Sequence, residues 1–193
     1  MIGPNTHAHA HARRGVLESL PKNSVGVEIG VWRGDFSSLA LEIVEPSLLH
    51  MVDPWLFAGD DLHRGAMYAG SVANSQPDMD GVYAEVLARF AAEREAGVVC
   101  VHRCRSDEAA SRLADGSLDW VYVDGDHLYE AVGLDLALYW PKLRVGGELW
   151  ADDYLNVDRW WGDGIKRAVD KFVTEQDLCM NIRFRQAHNT KMA

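Results

Sequence analysis

The chain has 193 residues, of which 48% are hydrophobic and 25% charged, with a formal net charge of −10. That length predicts one domain with a substantial core, and the acidic balance excludes unspecific binding to nucleic acid or anionic membrane. No apolar run reaches the roughly 20 residues that span a bilayer and no signal-peptide core is present. Three unclustered cysteines, Cys100, Cys104 and Cys179, point to reduced thiols in a cytoplasmic protein.

In chain order, residues 1–23 read as a flexible leader and a short helix. His7, His9 and His11 alternate in the leader, with metal chelation as the alternative reading, and residues 13–20 form the helix, stopped by Pro21. Residues 24–193 then read as one domain of alternating strands and helices, which predicts a mainly parallel sheet covered on both faces. Strands are predicted at 26–30, 48–52, 98–102, 119–123 and 148–151, with a further one at 181–185. The apolar spacings of Phe36-Leu39-Ala40-Ile43, Val82-Val86-Leu87-Phe90, Val132-Leu136-Tyr139 and Ile165-Ala168-Val169-Phe172 mark helices. Asp107 is predicted to cap another, which runs to Leu113. Residues 55–81, rich in Gly, Asp, Asn and Ser, break the rhythm and read as a substrate loop or lid.

Chemistry collects at the predicted strand ends, the edge where an open α/β sheet binds ligands. After the first strand stands Glu28-x-Gly30-x-x-x-Gly34, whose glycines let the backbone approach a ligand or simply make the turn. The spacing is not the Gly-x-Gly-x-x-Gly of a dinucleotide site, and the Glu28 carboxylate favours an amine or hydroxyl. Asp53, ending the second strand, suits the two hydroxyls of a ribose or a turn before Pro54. Arg105 or Ser106, after the third strand, stands where an adenine would lie.

Asp124 ends the fourth strand and Asp152-Asp153 the fifth, so adjacent parallel strands bring three carboxylates together. Oxygen donors of this kind suit Mg²⁺ or another hard divalent cation; a solvated acidic rim is the alternative. His127 is placed to act as a general base or is an ordinary polar residue at a helix start. Trp150, Trp160 and Trp161 read as core and lid packing, and as a surface able to support a homo-oligomer. Tyr154 is close enough in sequence to the acid pair to line the pocket.

Together, residues 27–34, Asp53, Asp124-Gly125-Asp126-His127-Leu128-Tyr129-Glu130, and residues 139–147 running into Ala151-Asp152-Asp153-Tyr154 resemble the class I S-adenosylmethionine-dependent methyltransferases. More narrowly, they resemble the small bacterial O-methyltransferase group that includes macrocin-type sugar methyltransferases. The resemblance covers about residues 24 to 173. It implies a Rossmann-like α/β fold with a seven-stranded, mainly parallel sheet whose last strand is antiparallel.

It also implies S-adenosylmethionine held by Glu28, Gly30, Gly34, Asp53, Arg105, Ser106 and Asp124. Mg²⁺ would lie on Asp124, Asp152 and Asp153, with His127 or Asp124 taking the proton of a small-molecule hydroxyl. No nucleic-acid or membrane partner is implied. The competing functions are a nicotinamide-dependent dehydrogenase, a non-catalytic nucleoside-binding protein and a metal-dependent hydrolase.

Overall fold

The structure, a computed structural model, describes residues 13–180 and 182. Five strands form one sheet: β1 (Val25–Ile29), β2 (Leu48–Asp53), β3 (Val99–Arg103), β4 (Leu118–Val123) and β5 (Leu143–Ala151). Their order is β3-β2-β1-β4-β5 and every pairing is parallel. All five C-terminal ends therefore lie along one edge. The chain reverses its direction of winding between β1 and β4, which opens a crevice there.

Alternation along the strands sorts side chains into two cores. Val27, Ile29, Val52, Val121 and Val123 pack with α6 (Tyr129–Tyr139) and α7 (Gly164–Glu175) on one face. Leu49, Met51, Trp120 and Tyr122 pack on the other face with α2 (Asp35–Ile43) and α3 (Gln76–Arg89). Val16 and Leu17, from the helical residues 13–17 (α1), join this second core. Each fully buried aliphatic side chain stabilises the fold by roughly 1.5–3 kcal/mol. Gly26 is required by this packing, because a Cβ there would meet the Trp120 indole at 2.0 Å.

Three expectations are corrected. Among the described residues the sheet has five strands rather than seven, and no antiparallel pair occurs. The stretch predicted as a further strand falls outside the described residues except for Ile182, which is not in a strand. Helix α3 begins inside the predicted loop, at Gln76, because Ser75 Oγ accepts from the Asp78 N–H at 3.4 Å and Pro77 occupies the first turn. Asp107 is not a cap: Arg105 holds the cap position of α5 (Ser106–Ala110), and Asp107 lies within the first turn. The histidine leader lies outside the described residues. No helix among the described residues is long and apolar enough to cross a membrane.

Candidate active site

The first turn works only with glycine. Gly30 has φ +87°, and a Cβ there would lie 2.0 Å from the backbone oxygen of Asp124. Gly34, at φ +79°, begins α2 against the Phe90 ring, 2.4 Å from where a Cβ would stand. Between them Trp32 takes a positive φ of 52°, and Trp55 does so after β2 at 44°. Such conformations cost free energy and persist where their surroundings enforce them.

Here Asp53 enforces them. Its carboxylate accepts from the N–H groups of Val31 (3.0 Å), Trp32 (2.9 Å) and Trp55 (2.7 Å), while Trp55 Nε1 donates to the Trp32 carbonyl. Burial raises the Asp53 pKa despite these three bonds. A carboxylate has about four acceptor positions, so Asp53 retains room for one further donor.

Glu28 is 1% exposed and accepts from Ser37 Oγ. Burial pushes its pKa up to about 8, against the opposing Ser37 hydrogen bond. A carboxyl in that state binds a cation well once ionised and costs stability when ionised alone. At the start of α5, the Ser106 carbonyl accepts from Tyr139 Oη at 2.9 Å. Ser106 also hydrogen-bonds Asp135, which is 4% exposed and pushed up to about 6 by burial. Arg105 is exposed and pairs with Asp107 at 3.3 Å.

The acidic end is arranged differently from the expected trio. Asp124, His127 and Asp153 converge, with their donor atoms all within 4.8 Å of one another. Asp152 is diverted to Arg13, whose guanidinium meets it at 2.7 and 3.0 Å and also bridges to Asp124. The metal-capable set therefore contains an imidazole in place of the third carboxylate. The reason is backbone geometry: Asp153 adopts φ 55° directly after β5, which separates its direction from that of Asp152.

His127 Nδ1 lies 2.7 Å from the Gly125 carbonyl, which can only accept, so Nδ1 carries a proton. Nε2 faces Asp153 at 3.2 Å and Asp124 at 3.7 Å. Burial opposes the imidazolium, but the Asp153 hydrogen bond and both carboxylate charges outweigh it, and the pKa is raised. Asp124 is pushed up to about 7, by burial first and by its acidic neighbours, against the pull of Arg13 and His127.

The loop before α3 closes over this edge. His63 Nε2 lies 3.2 Å from Asp126 and its ring packs on Trp160, while Trp161 packs on His127 with centroids 4.3 Å apart. The Tyr68 hydroxyl in the same loop is buried with no hydrogen-bond partner, an uncommon condition for a polar atom. The space between Asp124, His127 and Asp152 is only about 10 Å³. A cavity of about 370 Å³ lies beside β5, lined among others by Arg13, Tyr122, Trp150, Asp152 and Tyr154. Tyr154 thus reaches a pocket as expected, with its hydroxyl bonded to Asp170.

Arg13, His63, Tyr68 and Asp135 escaped the sequence reading. Asp135 alone carried a local signal, an acid set among Val132, Leu136 and Tyr139 on an apolar helix face. Arg13 is the testable one. Because its guanidinium occupies the Asp124–Asp152 pair, Arg13→Ala should tighten Mn²⁺ binding at pH 8 about tenfold, equivalent to about 1.4 kcal/mol. Calorimetry on protein with His7, His9 and His11 replaced by alanine measures this; unchanged affinity would show that Arg13 does not compete with a cation.

A parallel sheet with a glycine turn and the acids Glu28 and Asp53 at the C-terminal ends of β1 and β2 defines an α/β protein of the Rossmann-like class. The family model described as "Methyltransferase domain" matches residues 27–154. The chain belongs to that family, and its activity is that of an S-adenosylmethionine-dependent methyltransferase.

It is 25% identical over 181 residues to an uncharacterized protein of Acanthamoeba polyphaga mimivirus, covering 91% of this chain and 71% of the relative. Among solved structures it is similar to a caffeoyl-CoA O-methyltransferase candidate from Staphylococcus aureus, with 10% identity, 91% and 77% of the two chains covered and a TM-score of 0.58. It is also similar to a methyltransferase candidate from Streptococcus mutans in complex with SAH, with 12% identity, 91% and 84% covered and a TM-score of 0.55.

Proposed function

We propose that the enzyme transfers the methyl group of S-adenosylmethionine to a hydroxyl of a small cytoplasmic molecule, of the kind modified by macrocin-type sugar O-methyltransferases. The observation that carries the oxygen specificity is the Asp124–His127–Asp153 cluster beside the Gly30 turn: an imidazole whose Nε2 faces two carboxylates that stabilise its protonated form. That arrangement suits removing a proton from a weakly acidic hydroxyl. The S. aureus relative's O-methyltransferase description points the same way.

The residues present fit the cofactor. The Gly30 and Gly34 turn leaves backbone space that a Cβ would fill, and the orphaned Tyr68 hydroxyl offers a partner. Glu28 would hold the ammonium end, Asp53 a ribose hydroxyl through its remaining acceptor position, and Ser106 the adenine. The sulfonium supplies a methyl carbon already electrophilic, so the chain's task is alignment, which is worth on the order of 7–11 kcal/mol.

The donor set of Asp124 and Asp153 fits Mg²⁺ or another hard cation. Such an ion supplies Lewis acidity that lowers the pKa of the acceptor hydroxyl. His127 takes the hydroxyl proton on Nε2 while Nδ1 stays bonded to Gly125. The acceptor reaches the cluster from the cavity beside β5, whose lining includes Asp152 and Asp153, while the 55–75 loop covers the Asp126 side through His63 and Trp160.

The first test is titration of adenosylhomocysteine, with and without Mg²⁺, into protein lacking the leader histidines. Binding at micromolar concentration, lost in Glu28→Ala, is expected, together with a separate heat for Mg²⁺ that disappears in Asp153→Asn. A protein that binds no adenosylhomocysteine would overturn the cofactor assignment, and an unchanged Mg²⁺ heat in the variant would overturn the metal assignment.

A further inference from the structure

A second cluster of metal-binding side chains lies away from the acidic edge, on the β2–β3 ladder at the side of the sheet. His50 in β2 pairs in register with Cys100 in β3, and His102 follows two residues later. Residues two apart on a strand share a face, so Cys100 and His102 project together beside His50. His50 Nδ1 and His102 Nε2 are 3.0 Å apart, and the two nitrogens and the Cys100 sulfur all lie within 4.8 Å of one another. Because β3 is an edge strand and all three residues are partly exposed, an ion has access.

We propose that His50, Cys100 and His102 form a binding site for a thiophilic divalent ion of the Zn²⁺ class, separate from the hard-cation site at Asp124. Zn–N distances of about 2.0–2.1 Å and Zn–S of about 2.3 Å give tetrahedral edges near 3.3–3.6 Å. The observed nitrogen pair needs to open by only a few tenths of an ångström to reach that edge. A thiolate with two imidazoles selects Zn²⁺, Co²⁺ or Cu over Mg²⁺ and Ca²⁺.

An ion would replace the hydrogen bond between His50 Nδ1 and His102 Nε2, each neutral imidazole then carrying its proton on its other nitrogen. The Arg112 charge opposes a cation, and Glu108, 3.8 Å from its guanidinium, offsets part of that charge. Binding converts the Cys100 thiol to a metal-bound thiolate and releases its proton to solvent. Three protein donors leave one coordination position for water. The ion would clamp β3 to β2, whose last residue is Asp53.

The test uses full-length protein carrying His7→Ala, His9→Ala and His11→Ala, with Co²⁺ as the probe. The expected result is a near-ultraviolet thiolate-to-Co²⁺ charge-transfer band that saturates at one ion per chain and vanishes when Zn²⁺ is added. The band should be absent in Cys100→Ser and in Cys100→Ala, each checked as folded by circular dichroism. His102→Gln should weaken Co²⁺ binding more than about tenfold. Cys104→Ser and His127→Gln should leave the band intact. Failure to observe a band, or a band that persists in either Cys100 variant, would overturn the site.

Discussion

Glu28→Gln should raise thermal stability at pH 8 while weakening adenosylhomocysteine binding at least about a hundredfold. The stability half follows from linkage. The folded carboxyl titrates near 8 because burial disfavours its charge, whereas an unhindered glutamate titrates near 4.5. Between those two values unfolding releases a proton, so stability is complete below about pH 4.5 and falls as pH rises toward 8. With the side chain 1% exposed, that fall is on the order of a few kcal/mol. Glutamine keeps the shape and an acceptor for Ser37 but cannot ionise, so the slope disappears.

The binding half follows from charge. An ammonium placed against Glu28 draws it into the carboxylate form, and glutamine offers no such partner. The same reasoning predicts that cofactor binding near neutral pH releases a proton, visible as a buffer-dependent binding heat. Melting curves between pH 4.5 and 8 for both proteins provide the comparison. Parallel pH profiles would mean that Glu28 ionises normally in the fold.

His127→Gln should lower turnover by about 10²–10⁴-fold, the usual contribution of a positioned base, with adenosylhomocysteine affinity within a factor of about two of the parent. The separation of the two effects is the diagnostic. Glu28, Gly30 and Asp53 lie at the β1 and β2 ends, whereas His127 Nε2 faces Asp153 and Asp124 at the β4 and β5 ends. Glutamine fills much of the imidazole's volume against Trp161 but cannot accept a proton at neutral pH. Single-turnover methylation of an accepted hydroxyl substrate measures the loss. Turnover within tenfold of the parent would remove His127 from the base role and leave Asp124 to fill it.

The geometry of the turn after β1 was legible because its signals are local. A β-branched run followed by glycines at Gly30 and Gly34 encodes a strand-to-helix turn by sterics alone. Asp53 at the end of the next strand needs only parallel pairing to reach it. The acidic half was legible in composition but not in partnership. Asp152 and Asp153 are adjacent in sequence, yet the left-handed backbone at Asp153 sends one to His127 and leaves the other to Arg13. The contact of Arg13 with Asp152 spans 139 residues, which no spacing rule can anticipate.

Alternation of apolar strands and amphipathic helices by itself determined the parallel sheet, its ligand edge and the residue types gathered there, because periodicity and glycine sterics act within a few neighbours. Tertiary structure alone decided the strand order, the contacts of His63 with Asp126 and Trp160, and the pairing of Arg13. It also decided the meeting of His50 with Cys100 and His102. Each of these depends on which strands become neighbours and on how burial shifts charge, quantities set only when distant segments close on one another.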